Sequence, residues 1–594
     1  MIELSYPLLL PFLLISFILS FSLPFLEKKL DKQVLPIFSF ILILIPTLTA
    51  LIIYLIFGLE EGIVEPALFS HETIGSFSMY LDRLNALYLL GVGIVTPLVA
   101  LYSFEVMKNR LEELHKEGGF TPSLGIFYLF YTIFALGMVG FVLTTNLFLQ
   151  YIFLKLTLLS SFILIWFFGH GEKKRIGVIY LIWSLIGGGV FLLGILGLSA
   201  EIGTFNILDL SSLELNSSLR QEVTLLIPFL IFFGMCIKKA LFGVHMWLPK
   251  AHAEAPAPVS ALLSANLIGI SSYVMIKVVL EMFPTHFEYL SPFFLALSFI
   301  TMVYGSSMAI AQDDLKALLA YSSISQMGWI TFGISTMTPK GISGGALLFV
   351  TQSVSSSVLF MAAGLLMKKY DGLRKISDMG GLITMNPVLS GLIILGFFTL
   401  VGAPFTIGFW AKTLVFSGAT SVAAEYGPIV FILTALGIIF AGGITASYSF
   451  ITLKRMLFGM FKSNMDDRPI GWTTSTISMS IIGVVGIFLF LIPEPLSHPA
   501  ELPRLSVLAV EGMMFLTAYM GAYFIFTGGV RYYLVLFSHR VEEQIIDEFF
   551  HNSIPNYLFK GLRMFKKKQP GDLGNYLIWL MIGFIIILIT ITFG

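Results

Sequence analysis

Residues 237–263 read IKKALFGVHMWLPKAHAEAPAPVSALL. The stretch lies between long apolar runs, yet it holds two adjacent lysines, Lys238 and Lys239, and prolines at 249, 256 and 258. Proline removes a backbone donor and clashes with the preceding turn, so no single helix runs unbroken through residues 243–260. Residues 401–412, VGAPFTIGFWAK, repeat the pattern with Gly402, Pro404 and Gly408 ahead of Lys412. Irregular backbone is tolerated at membrane depth only where protein buries it or water reaches it. Gly/Pro-interrupted helices at matching places in two halves point to a transporter site built from inverted repeats. The competing reading is a pair of kinks that merely improve packing.

The composition agrees with a membrane setting. Of 594 residues, 57% are hydrophobic and 12% charged, with a mean hydropathy of +0.90; a soluble domain is roughly a quarter charged. The formal net charge is zero, which argues against nucleic acid as a partner. The single cysteine, Cys236, excludes a disulfide framework, a four-thiolate Fe–S cluster and a Cys-rich zinc site within this chain. No phosphate-binding glycine loop, nucleophile triad or metal-ligand cluster stands in the sequence, so redox chemistry and hydrolysis are not expected here.

A helix needs about 20 apolar residues to cross a bilayer, and the sequence offers sixteen such runs, from 5–25 to 574–593. The first lacks a cationic start and a cleavage site, which marks it as a retained helix. The positive-inside rule supports the count. Of the 35 Lys and Arg, 26 lie in loops after odd-numbered runs and four in or beside the even-numbered loops. Both termini are therefore expected outside, with the basic loops in the cytoplasm. The fold class is an all-α polytopic membrane protein with two inverted five-helix repeats and broken helices 7 and 12. Its expected units are helices 1–3 (1–121), the repeats of helices 4–8 (122–284) and 9–13 (285–457), helices 14–15 (458–530), a lateral amphipathic segment (531–572) and a final helix (573–594).

Five lysines fall inside apolar runs: Lys155, Lys238, Lys239, Lys277 and Lys412. A lysine at mid-bilayer costs a few kcal/mol on insertion scales. Snorkelling from a helix end suits Lys277, and Lys239 less well. Lys155, Lys238 and Lys412 read instead as parts of a buried polar axis. His245, His252 and Glu254 flank the helix 7 break and admit two readings, a way in for cytoplasmic protons or a polar cap on exposed helix ends.

Residues 237–263 resemble the signature of the antiporter-like subunits of respiratory complex I. That family also includes the large Mrp cation/proton antiporter subunits and the membrane arms of energy-converting hydrogenases and related archaeal complexes. The wording AHAEAPAPVS resembles the hydrogenase and Mrp side. Residues 312–328, QDDLKALLAYSSISQMG, are similar to its second signature, and GAPFTIGFWAK (402–412) to its third. The segment 531–569, with Val541, Ile545, Ile546, Phe549 and Phe550 on one helical face and Pro555 interrupting it, resembles the lateral helix of the distal complex I pump subunit. It reads as a brace between subunits of at most roughly 60 Å or as an anchor on anionic lipid.

The resemblance implies a proton path along a polar mid-membrane axis. A helix 5 glutamate pairs with a helix 7 lysine, and further groups on helices 8 and 11 lead to helix 12. Carried over by motif, Lys238 takes the helix 7 slot and Lys412 the helix 12 slot. The others are altered. Lys155 stands in the glutamate slot, Ser264 and Gly269 stand where helix 8 usually has histidine or lysine, and Gln352 and Ser356 replace the helix 11 histidine and lysine. Two ammonium groups 4 Å apart repel by about 4 kcal/mol at an effective dielectric of 20, and no acid in runs 4–8 is placed to compensate Lys155 and Lys238.

The sequence therefore implies an antiporter-like, proton- or cation-translocating subunit of a redox-driven complex in the plasma membrane, with a degraded pump axis. Archaeal hydrogenase-type and sulfur-reducing complexes are the nearest in kind. It implies no cofactor in this chain, with Fe–S clusters and a Ni–Fe or flavin centre on soluble partner subunits, and further membrane subunits and lipid as neighbours. An Mrp-type Na+/H+ antiporter subunit and a non-pumping structural brace are the alternatives.

Overall fold

The computed structural model describes residues 2–57, 62–71, 75–118, 121–212, 225–370, 372–458, 470–491 and 520. Apart from residue 520, helices 15 and 16 and the lateral segment fall outside the described residues. The chain opens with α1 (Leu9–Ser20) and α2 (Leu23–Lys29), which meet at 48°, and continues through α3 (Val34–Phe57) to the long α4 (Arg83–Glu117). Next come α5 (Leu124–Leu143), α6 (Leu147–Phe168), α7 (Lys173–Ile202) and the short α8 (Ile207–Ser212). The first broken span is α9 (Leu226–Lys238) with α10 (Trp247–Glu254), followed by α11 (Ala257–Leu280). Then follow α12 (Pro284–Ala311), α13 (Leu315–Ser335) and α14 (Pro339–Lys369). A short α15 (Leu382–Met385) precedes the second broken span, α16 (Pro387–Val401) with α17 (Ile407–Glu425), and α18 (Pro428–Leu457) and α19 (Thr474–Leu491) complete the described helices.

Ten of these helices are long and apolar enough to cross a membrane, eleven if the bent pair α1–α2 counts as one. Helix ends are set by local chemistry: Asp82 caps α4 through Asn85 N at 2.8 Å, Asn146 caps α6 through Phe148 N at 2.9 Å, and Asp314 caps α13 through Ala317 N at 3.0 Å. Each oxygen satisfies an N–H with no partner inside its helix. Besides the helices, β1 (Ile2–Glu3), β2 (Ile63–Val64) and β5 (Tyr80–Leu81) form a small sheet, and β3 (Phe69–His71) pairs with β4 (Gly75–Phe77). Glu65, just after β2, accepts the N–H groups of Leu8, Leu9 and Leu10 and so caps α1 from 55–57 residues away.

Burial sorts the helices into a centre and a rim. The apolar stretches of α11 and α14 are entirely buried, whereas less than half of those in α3, α7, α18 and α19 is. Their open faces carry Leu193, Ile429, Leu433 and Leu436, a surface suited to lipid. Two features go beyond a simple count of apolar runs. α4 continues to Glu117, past the apolar part of its sequence, because buried Arg110 pairs with Glu113 and Glu117 at 2.8 Å each and donates to Phe168 O and Gly169 O. Helix 8 contains two π-turns, Leu263–Leu267 and Met275–Leu280.

Candidate ion-translocation site

The first break opens where α9 ends at Lys238. Ala240 takes φ +57° and Gly243 φ +88°, turning the chain before it re-enters helix at Trp247. Lys238 is 1% exposed, and its Nζ lies 5.8 Å from the centre of the Tyr180 ring. Lys155, one turn into α6 from Tyr151, holds Nζ 4.8 Å from that ring. It seats its ammonium against Gly188, where a Cβ would stand 2.4 Å from Nζ. The Gly187-Gly188-Gly189 notch therefore serves two ends: Gly187 meets Gly234 of α9 backbone to backbone, and Gly188 receives Lys155. Lys155 and Lys238 are close enough for their charges to interact. Among the described residues, no carboxylate lies within ion-pair distance of Lys155, Lys238 or Lys239. Lys239 turns the other way, toward Met275 Sδ at 3.8 Å.

The second break holds its lysine differently. Gly402, at φ +86°, ends α16 and lets Lys412 fold back so that Nζ donates to Leu400 O at 2.9 Å. A carbonyl at a helix C-terminus carries partial negative charge, and the Trp329 ring, 5.2 Å from Nζ, adds the attraction of its π-face. Gly408 packs on Thr399 O so closely that a Cβ would sit 2.2 Å away.

The buried polar side chains that α11, α13 and α14 bring together are neutral. Ser264 Oγ meets Ser323 Oγ at 2.5 Å and also Ser356 Oγ, while Gln352 Nε2 donates at 3.3 Å to Ser264 O, Ser264 Oγ and Ser323 Oγ. Ser353 Oγ bonds Asn266 Oδ1 at 2.8 Å. Gln352 Oε1 and Asn266 Nδ2 are buried without partners; such atoms in native interiors usually mark bound water. Hydroxyls, amides and water can pass a proton along hydrogen bonds, but none of them stores a charge as histidine or lysine would.

The remaining sequence candidates have surroundings of their own. His245 Nε2 pairs with Tyr304 OH at 3.0 Å. His252 is fully buried against the Phe360 ring (4.8 Å, 22° between planes), with neither ring nitrogen bonded. Glu254 sits beside Gly171, whose lack of a Cβ leaves room for the carboxylate. Glu254 and Lys250 line a 220 Å³ cleft at the start of α7 with Glu172 and Arg175. Lys277 does not simply reach for solvent, as snorkelling implied: Nζ bonds Asp82 Oδ2 at 2.7 Å and Glu281 Oε2 at 2.9 Å, over the Tyr80 ring. Glu281, the one acid inside runs 4–8, is thus committed to Lys277.

Sequence reasoning missed Lys316, which it placed in a loop. That side chain is 1% exposed and donates to Ala253 O at 3.3 Å and Ala255 O at 2.6 Å, closing the C-terminal end of α10. It also missed Ser323, Asn266, Tyr180 and Trp329. The YSSISQ run of α13 (321–326) was the available signal, since four polar residues in six are unusual on a buried membrane helix.

With this geometry described, comparison with known proteins identifies the family. Residues 144–439 match the family described as "NADH:quinone oxidoreductase/Mrp antiporter, TM". The NADH-ubiquinone oxidoreductase chain 4 of Marchantia polymorpha is 29% identical over 392 residues, 66% of this chain and 74% of the relative. A putative antiporter subunit mnhD2 of Staphylococcus aureus is 30% identical over 391 residues, again 66% of this chain and 74% of the relative. The fold matches a chain of the membrane-bound sulfane sulfur reductase, an archaeal respiratory membrane complex, with a TM-score of 0.68 at 22% identity, covering 87% of this chain and 99% of that one. The chain is an antiporter-like membrane subunit, and it belongs to the NADH:quinone oxidoreductase/Mrp antiporter transmembrane family.

Proposed function

We propose that this chain is the antiporter-like subunit of a redox-driven, ion-translocating complex related to complex I, in which Lys238 and Lys412 are retained as charge-bearing groups and the segment between them is neutral. The observation that carries the reading is the pairing of two broken spans, each with one buried lysine at its break, together with a buried cluster of neutral polar side chains, Ser264, Ser323, Gln352 and Ser356. In this reading the complex sits in the plasma membrane with both termini outside and the lateral segment 531–572 on the cytoplasmic face. Electron transfer belongs to soluble partner subunits carrying Fe–S clusters and a Ni–Fe or flavin centre. The assembly in this reading is of the hydrogenase-type or sulfur-reducing kind, and the shared fold with a chain of the sulfane sulfur reductase is compatible with it.

The similarity to an Mrp-type subunit supports a second reading, a Na+/H+ antiporter without redox partners. Lys155 in the glutamate slot favours a third, a subunit that braces the membrane arm without pumping. Tagging the chain, extracting it in mild detergent and identifying what co-purifies separates the first two. Cluster-bearing soluble subunits with their visible absorbance support the redox complex; small membrane subunits alone overturn it in favour of the Mrp form. Loss of coupled ion movement in Lys238→Ala, with electron transfer persisting, excludes the brace.

A further inference from the structure

The polar residues along α11 form two groups, with an aromatic ring between them. On one side lie Ser264 and Asn266 with their partners on α13 and α14. On the other, Tyr88 OH donates to Ser272 Oγ at 2.7 Å, Asn85 Nδ2 donates to Tyr273 OH at 3.0 Å, and Asp82 and Glu281 hold Lys277 at the membrane face. Ser271 Oγ, beside this second group, is buried without a partner. The ring between the groups is that of Phe349, fully buried and stacked on Tyr88 at 4.5 Å and 19°.

Phe349 occupies a seat made by two absent side chains. A Cβ on Gly269 would stand 2.5 Å from its Cδ2, and one on Gly91 2.7 Å from its Cε1. Gly269 is the helix 8 position at which the resemblance leads one to expect a basic residue, so the chain has exchanged a charged relay for a cavity filled by an apolar ring. The two π-turns, Leu263–Leu267 and Met275–Leu280, bracket this point. Such turns are frequent at functional sites, and each leaves a local irregularity in the backbone ladder on either side of the ring. Gly269 lies eight residues from Lys277, about 12 Å along a helix, so the outer group spans the distance from the ring to the membrane face. Hydrophobic constrictions of this kind close pores by excluding water.

We propose that Phe349 is an aromatic gate in a water path along α11, which joins the mid-membrane hydroxyl cluster to the face bearing Asp82, Lys277 and Glu281. With the ring in its seat the path is interrupted and each polar group keeps to itself; with the ring withdrawn, water bridges Asn266 to Ser272 and protons cross between the two groups. That protons are the species that cross rests on the functional reading above, whereas the gate itself rests on the packing.

The chain's own chemistry makes a test available, because its one cysteine, Cys236, is fully buried. Ser272→Cys and Ser264→Cys, eight residues apart on α11, bracket the gate. Each is introduced alone and combined with Phe349→Ala in the full chain in its native membranes. A membrane-impermeant trimethylammonium methanethiosulfonate is then added from one face at a time. The cysteine at 272 is expected to react from the Asp82 face whether or not Phe349 is present. The cysteine at 264 is expected to react from that face at least tenfold faster in the Phe349→Ala background. Equal rates at 264 with and without the ring, or no reaction at 272 from the Asp82 face, overturn the gate. Labelling of Cys236 reports misfolding; if Phe349→Ala shows it, Phe349→Leu, which keeps the seat filled but narrows the plug, is expected to raise the rate at 264 in the same direction, and an unchanged rate again overturns the proposal. These readouts do not depend on which complex the chain joins, so loss of the gate and loss of the redox assignment are separate results.

Discussion

Replacing Lys277 by methionine should loosen the whole first half of the protein, because it leaves two carboxylates facing each other. Lys277 Nζ stands 2.7 Å from Asp82 and 2.9 Å from Glu281, with side-chain exposures of 11%, 14% and 38%. Exposed ion pairs contribute less than about 1 kcal/mol, whereas breaking a buried pair by removing one partner costs about 3–5 kcal/mol. The triad is nearly closed at Asp82 and partly open at Glu281, which sets the expected cost at about 3 kcal/mol. Asp82 keeps its capping bond to Asn85 N, so α4 still starts in place and the loss is electrostatic. Cys236 supplies the assay, since it is fully buried and reacts with a maleimide only when the structure opens. When opening and closing are fast, labelling tracks the open population, and 3 kcal/mol corresponds to a rate about a hundredfold higher. Lys277→Arg should stay near the wild-type rate, and Lys277→Met with Glu281→Gln should recover part of the loss. A Lys277→Met rate within threefold of wild type refutes the idea that the triad holds α11 to α4.

Three further outcomes follow from close contacts and charge. Gly188→Ala puts a Cβ 2.4 Å from the flexible end of Lys155 and should cost no more than about 1.5 kcal/mol, whereas Gly234→Ala meets the Phe191 backbone at 2.7 Å and should cost about 2–3 kcal/mol; Cys236 labelling compares them, and a double-mutant cycle should couple Gly188→Ala to Lys155→Met. Glu65→Ala removes the acceptor for three N–H groups of α1 and should cost about 2 kcal/mol, read as faster hydrogen exchange confined to the α1 amides. Burial and the cations Lys316, Arg110, Arg374 and Lys173 hold the His170 imidazole well below the ordinary histidine range. A depressed folded value means stability is full above the unfolded value near 6.5 and falls as pH drops below it, by at most about 1.4 kcal/mol per unit. Thermal melts between pH 7 and 5 should show that slope, and His170→Gln should flatten it.

What could be read from the sequence was whatever local chemistry encodes. Gly402, Pro404 and the prolines at 249, 256 and 258 mark the breaks directly, because backbone geometry depends on the residue that sits there. Asp314, placed directly before an apolar run, is likewise a local signal, and it caps α13 by accepting from Ala317 N. Partners across the fold leave no such trace. Asp82 is 195 residues from Lys277, so Lys277 read as a lone cation near a helix end. Lys316 resembled any basic loop residue until the backbone carbonyls of 253 and 255, 63 and 61 positions away, came to meet it. Phe349 could not be singled out among 56 phenylalanines, because what sets it apart is the pair of glycines on two other helices that make room for its ring.

The two buried lysines of the axis are held by opposite means, and the difference makes a prediction. Lys412 has the terminal carbonyl of α16 at 2.9 Å and an aromatic face, so its charge is compensated where it sits. Lys238 has the Tyr180 ring and, in place of a carboxylate, the charge of Lys155. Between like charges the interaction at an effective dielectric of 20 falls from about 4 kcal/mol at 4 Å to below 2 kcal/mol at 10 Å, and the Lys155 ammonium rests against Gly188 with no acid beside it among the described residues. If no anion compensates the pair, removing one charge relieves the other. Lys155→Met and Lys238→Met should then each stabilise the protein, by about 1–2 kcal/mol on the Coulomb scale above, and the double variant should gain less than the sum, because the repulsion can be removed only once. Slower Cys236 labelling in both single variants is the expected result. Faster labelling in Lys155→Met shows instead that Lys155 was paired with an anion, from a lipid or a neighbouring subunit, and that the first half carries a compensated charge after all.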